Sequence, residues 1–471
     1  MNARARVARL SVLGVAWPLF VEQFLRTLIF NVDQWMLTGV SAAAAAAVGT
    51  GAFQVVVFSI IIFNFVAIGA SVVITHHLGA GDREGAARIS ATAMGVNTWI
   101  GVAVSALVAS LAPYIVRLQG VPAPMAAYAL TYLTILGSTL FLDAQNLAMM
   151  AVLRAHGRTR DSMVVSGAVN VISVLGNATV LFGIIGSTHL AEHGVRAVAG
   201  VAISGIVARV VGFVVLRLLV ARRTGIRLEL RDYLAFPTRD VSRILRIGLP
   251  AAGENASYWL ALMAVTGFVA RLGPTAFLAY NFTRSVVMLV VVSFAMALGL
   301  GTEIVVGHLV GAGAFDEAFH RLLRSLRTGL LVVGLTTFAL FLARHQVFRI
   351  YTGDGDVLRL CATLLLVELV IEPGRIFNIV VINSLRATGD ALYPVLMGAC
   401  SMWLLWVPLS WYLAFHTHLG LVGVWLAMAC DEWLRAGMMY WRWRRRGWLE
   451  NARRSHEDIT ALASAEMAEN A

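Results

Sequence analysis

The sequence contains no lysine; all 37 of its basic residues are arginine. A Walker-type phosphate loop needs the Gly-Lys-Ser/Thr ending, so ATP-driven chemistry of that kind is excluded. Charge is scarce altogether, at 13% of 471 residues, against about 25% in a soluble protein. Cysteine is scarce too: Cys361, Cys400 and Cys430 each lie in an apolar stretch. Their odd number and wide spacing exclude a disulfide framework or a zinc site, and they read as inert core thiols. What is abundant is hydrophobicity: 59% of residues, with a mean hydropathy of +0.77. No soluble core hides that much apolar surface, and disorder requires the opposite composition. The chain is therefore read as a polytopic membrane protein and not as an enzyme. The net charge of +11 would suggest a nucleic-acid partner in a soluble chain. Here the arginines cluster in short loops between apolar runs, so the partner is the lipid bilayer.

Apolar segments fall at about 10–39, 42–78, 87–112, 124–154, 160–183, 195–221, 241–271, 275–310, 318–343, 355–386, 390–416 and 419–441. They are continuous, not alternating, which favours helices over a β-barrel. The first of them follows Arg4, Arg6 and Arg9 like a signal peptide, but it carries Glu22, Arg26 and Asp33 and has no small-residue cleavage site. Taking the N-terminus as inside, inner loops and tails hold 25 arginines, outer loops 6, and helices the remaining 6. This bias puts both termini in the cytoplasm, and the chain is expected in the plasma (inner) membrane. The run Trp441-Arg-Trp-Arg-Arg-Arg-Gly-Trp448 reads as a headgroup anchor of arginines and interfacial tryptophans.

The chain repeats itself. A gapless shift of 232 residues aligns Pro18 with Pro250, Glu22 with Glu254 and His76 with His308. The same shift aligns Gly79-Ala80-Gly81 with Gly311-Ala312-Gly313, Asn146 with Asn378, and Leu153-Arg154-Ala155-x-Gly157 with Leu385-Arg386-Ala387-x-Gly389. The expected organisation is an N-terminal six-helix bundle (1–221), a cytoplasmic linker (222–240), a C-terminal six-helix bundle (241–443) and a cytoplasmic tail (444–471). Six helices per copy is an even number, so both copies point the same way. The predicted fold is an all-α membrane protein of twelve transmembrane helices, with its two bundles related by a pseudo-two-fold axis along the membrane normal. Such a duplication suits alternating access.

With these motifs the chain resembles the multidrug and toxic compound extrusion (MATE) family. The features are Trp17-Pro18-Leu19, Val32-Asp33-Gln34, the Gly79-Ala80-Gly81 loop and the paired Leu-Arg-Ala-x-Gly turns, the second continuing as Gly389-Asp390. A major facilitator reading fits less well. Gly81-Asp82-Arg83-Glu84-Gly85 is followed by Ala86-Ala87 instead of a basic pair, and the second copy lacks the Asp-Arg. The resemblance implies export of small organic cations against H⁺ or Na⁺, with no cofactor beyond that coupling ion, and a functional monomer is expected. A lipid-linked precursor flippase of the same superfamily is the alternative, with Arg26, Arg284 and Arg375 available for phosphates.

Ionisable groups inside the membrane cost roughly 2.5–3.5 kcal/mol each and are functional candidates. Glu22, Arg26 and Asp33 share one face of the first helix. The resemblance places the family's helix-one aspartate at Asp33, fifteen residues after the bending proline. Asp33, Asp143, Glu22 and Asn177 are the ion-coupling candidates. The position four after Asn177, an aspartate in archaeal-type members, is Leu181 here. Glu254, Tyr258, Asn146, Asn378, Arg375 and Glu372 are the substrate-binding candidates. Glu254 has no nearby arginine in its own helix, because Tyr258 stands where the first half has Arg26. An acid beside Tyr258 and Trp259 suits an organic cation by charge and by cation–π attraction. In the tenth segment Arg375 stands where some branches have an aspartate. It pairs at i, i+3 with Glu372 on a structural reading, or lines the cavity on a functional one. Asp431 is expected to pair with Arg435 at i, i+4. Pro18 and Pro250 serve as hinges or as fixed bends.

Overall fold

The computed structural model describes residues 11–38, 40–183, 194–234 and 240–469. Among these residues every regular element is a helix. The long helices are α1 (Val12–Thr38), α2 (Ala43–Ala80), α3 (Arg83–Leu118), α4 (the pair Ala123–Gly137 and Leu140–Ala155, bent by 51°), α5 (Thr159–Phe182) and α6 (Val195–Thr224). The second half supplies α7 (Val241–Arg271), α8 (Pro274–Gly311), α9 (Phe315–Leu342), α10 (Gly355–Ala387), α11 (Leu392–Phe415) and α12 (Gly420–Arg444). A further helix, α13 (Leu449–Glu469), follows. Seven of these helices are long and apolar enough to cross a bilayer, and eight if the bent α4 is one span. The other four, α1, α7, α10 and α12, are just as long but carry the intramembrane charges. The twelve-helix reading holds.

The repeated motifs recur as structure. In both copies the last glycine of the Gly-Ala-Gly turn and of the Leu-Arg-Ala-x-Gly turn is left-handed: Gly81 at φ +87°, Gly313 at +68°, Gly157 at +73° and Gly389 at +82°. Side chains with a Cβ rarely adopt that conformation, so these glycines end α2, α8, α4 and α10.

The chain forms two compact units, and their borders do not follow the sequence halves. The N unit is Val21–Ile74 with Arg83–Gly248. The C unit is the chain up to Phe20, Thr75–Asp82, and everything from Leu249 onward. The start of α1 and the end of α2 therefore pack among second-half helices, and the first turns of α7 pack among first-half helices. Glycines make this possible by letting backbones touch. In the N unit a Cβ at Gly69 would strike the carbonyl of Ile244, and one at Gly248 would strike that of Phe65. In the C unit Gly301 lies against Ala16, the partner positions under the 232-residue shift. Gly79 lies against the His308 carbonyl, and Gly311 reciprocally against that of His76.

Two expectations change. The basic stretch at the end of α12 and in the turn beyond it is not a headgroup anchor built on three interfacial tryptophans. Trp441 is exposed, but Trp443 and Trp448 are buried and stacked 4.6 Å apart. Trp443 also stacks on Phe319. The turn between α12 and α13 is folded tightly enough to hide both rings. Of the cysteines, only Cys361 is a core thiol; Cys400 and Cys430 are exposed.

Candidate functional site

Each unit contains the same ion pair. In the C unit Glu254 of α7, one turn after Pro250, accepts a 2.6 Å hydrogen bond from Arg386 at the end of α10. In the N unit Glu22 of α1, one turn after Pro18, lies 3.9 Å from Arg154 at the end of α4 and 4.0 Å from Arg26. Its other oxygen accepts from Ser162 at 2.8 Å. Shifting Glu22 and Arg154 by 232 residues gives Glu254 and Arg386. The motif arginine thus ties the helix after the proline to the end of the fourth helix of its copy. Glu254 is not a lone acid, because its counter-ion comes from α10 and not from its own helix.

Asp33 falls on α1, but its side chain lies outside the described residues. Asp143, on α4, takes its arginine from α6: Arg209 Nε lies 2.8 and 2.9 Å from its two oxygens. Asn146, one turn on, donates to the Arg209 carbonyl at 3.1 Å. Asn177 is buried on α5. Pro18 and Pro250 lie inside unbroken helices.

The densest group of charges lies near the middle of α10, in the C unit. Glu368, Glu372 and Arg375 come from α10; Asp431, Glu432 and Arg435 come from α12. All four carboxylates are buried. Arg375 bonds to Glu372, reaches Glu432 at 3.5 Å and lies 3.9 Å from Glu368. Arg435 bonds to Asp431 at 2.7 Å, the i, i+4 pair expected, and to Glu432 at 3.2 Å. Asn378 donates to Glu432 at 2.8 Å, Trp425 donates to Glu368 at 2.9 Å, and Ser401 bonds to Asp431. Tyr258 is half-buried and stacks on Trp406.

Four carboxylates face two guanidiniums in this group. Glu368 and Glu372, one turn apart on α10, are both buried, and the Oε2 of each has no hydrogen-bond donor. Two ionised carboxylates have only acceptors to offer each other. Burying four carboxylates beside two guanidiniums leaves an excess of negative charge that a proton or a cation would offset.

Sequence reasoning brought Glu372, Arg375 and Asn378 together on one helix. It missed Glu432 and Trp425, whose approach depends on how α12 packs on α10. It also missed Arg154 and Arg386 as partners. Their signal was present, since Glu22 and Arg154 recur together at the same offset.

Duplicated helical units, proline-bearing first helices and buried charges within apolar spans define a membrane transporter fold. The MatE family profile matches residues 18–179 and again 250–412, two matches whose starts lie 232 residues apart. The chain belongs to the MatE family. It is 33% identical over 440 residues to the uncharacterized transporter YisQ of Bacillus subtilis, spanning 93% of this chain and 95% of that one. It is 24% identical over 426 residues to the probable multidrug resistance protein NorM of Thermotoga maritima, spanning 90% and 89%. A crystal structure of MATE in the bent conformation superposes with a TM-score of 0.83 at 19% identity, over 97% of each chain. A MOP superfamily transporter from Pyrococcus furiosus, described as having a binding pocket of reversed polarity, superposes at 0.82 over 92% and 95%.

Proposed function

We propose that this protein is a secondary active exporter that antiports cationic, amphipathic compounds against H⁺ in the bacterial inner membrane, acting as a monomer with both termini in the cytoplasm. The multidrug resistance names of its NorM relatives support the cargo class. The observation that carries the coupling ion is the excess of carboxylates on α10: Glu368 and Glu372 are buried one turn apart, and the Oε2 of each has no donor. One proton on this pair supplies a donor and lowers the excess negative charge of the group. The bonds from Trp425 to Glu368 and from Arg375 to Glu372 leave one oxygen of each glutamate for it, whereas Na⁺ takes a larger set of oxygens. Asp33 is proposed as a second proton-binding acid, on the family resemblance. Loading the proton weakens attraction for a cationic cargo, and unloading restores it. The energy suffices: about 1.4 kcal/mol per pH unit plus about 2.3 kcal/mol per charge per 100 mV.

The test is dye flux in proteoliposomes under a pH gradient or a Na⁺ gradient applied separately. Wild-type protein is expected to accumulate a lipophilic cation under the pH gradient alone. Glu372→Gln supplies its own donor to Glu368 and is expected to abolish the pH-driven component while leaving a folded protein. Asp33→Asn is expected to reduce it. Flux driven by Na⁺ alone, or full pH-driven flux in Glu372→Gln, refutes the assignment.

A further inference from the structure

We propose that α13 is a latch that holds the tail-side ends of α2, α8 and α10 together, and that releasing it frees the end of α2 to move. This regulation rests on the alternating-access reading above. The first observation is the joint itself. His76, near the end of α2, bonds through Nε2 to the Ala387 carbonyl at the end of α10, at 2.6 Å and fully buried. The neighbouring turns of α2 and α8 are in backbone contact through Gly79 and Gly311, and Thr75 fills the space over Gly307. All of these residues belong to the C unit, although the rest of α2 belongs to the N unit. Motion that carries α2 with its own unit must open this joint.

The second observation is what α13 touches. His456 Nδ1 bonds to the carbonyl of Gly311 at 2.9 Å, so this glycine is gripped by α2 on one side and by α13 on the other. The His456 ring meets Phe315 edge to face and also covers Gly313. Ser455 sits against Gly389, in the turn just after Ala387. Ala452 and Ile459 are buried beneath the helix. One helix therefore covers both glycine turns of the second copy.

The third observation is how firmly α13 is aimed. The turn leading to it places Arg446 in the left-handed region, at φ +53°, the only non-glycine residue to do so among those described. That conformation is unfavourable for a residue with a Cβ. It is held by a 2.7 Å pair with Asp316, by the Phe319 ring under the guanidinium, and by the Trp443–Trp448 stack, in which Trp448 Nε1 donates to the Trp443 carbonyl at 3.1 Å. Such a turn is built to return the chain onto the bundle.

The experiment uses the full chain with its native cysteines replaced and Thr75→Cys introduced at the buried joint. Labelling by a membrane-impermeant maleimide is followed in proteoliposomes without any substrate. Deletion of 449–471, which keeps both tryptophans, is expected to raise the labelling rate about tenfold or more. His456→Ala and Ile459→Asp are expected to raise it less. Unchanged labelling in the deletion, with an unaltered elution profile, overturns the latch. If the deletion does not fold, unchanged labelling in both point variants overturns it equally. Because the readout is accessibility, absence of dye export by the wild type refutes the exporter reading and leaves this test standing.

Discussion

Replacing Glu254 by glutamine should cost much more stability than the matching replacement of Glu22, although the two residues occupy equivalent positions in the repeat. Arg386 is nearly buried, with 9% of its side chain exposed, and Glu254 is the anion it bonds to, at 2.6 Å. The guanidinium Nε has no hydrogen-bond partner. Neutralising Glu254 leaves a buried cation without its charge partner, a defect that costs on the order of 3–5 kcal/mol. Glu22 has no ion-pair contact shorter than 3.9 Å. One of its two arginines, Arg26, is 45% exposed, and a 2.8 Å bond from Ser162 survives the change to an amide. Its replacement should cost only about 1 kcal/mol. Thermal unfolding of purified protein, followed by intrinsic tryptophan fluorescence, ranks the two variants. The double exchange Glu254→Arg with Arg386→Glu should recover part of the loss. Equal costs for Glu22→Gln and Glu254→Gln, or a double exchange worse than the sum of its parts, would refute the pairing argument.

Two further outcomes follow from packing. Gly311→Leu should block assembly of the α2–α8 joint, because a side chain there meets the backbone of His76 and not a movable group; the expected result is loss of folded protein in size-exclusion profiles, with Gly253→Leu, where nothing lies within 4 Å, as the tolerated control. Trp448→Ala empties a fully buried site stacked on Trp443. It should destabilise the protein by about 3–5 kcal/mol, read as an earlier unfolding transition.

The architecture was largely legible because its signals are local or periodic. Segment lengths set the helix count, and the 232-residue shift set the duplication. The same shift carries Gly69 and Gly248 onto Gly301 and Ala16, so the helix crossings repeat as the sequence does. The partners of the charges were less legible. Glu254 looked unpaired along its own helix, and its arginine sits 132 residues away. Asp143 looked unpaired for the same reason, and Arg209 reaches it from α6. Helical periodicity reports neighbours at i, i+3 and i+4, as it did for Asp431 with Arg435, and is silent about the facing helix. The tail misled for a different reason. Arginine and tryptophan in alternation look interfacial, but Trp443 packs on Phe319 and the left-handed turn at Arg446 brings Trp448 onto it.

The interleaving of the two units has a consequence for biogenesis. The opening turns of α1 and the last turns of α2 emerge early from the ribosome, yet the surfaces they settle against begin at Leu249. These stretches stay unmatched until roughly half the polypeptide has followed them into the bilayer. Final assembly is therefore a late event that needs both gene copies, and neither copy carries all the parts of a finished bundle.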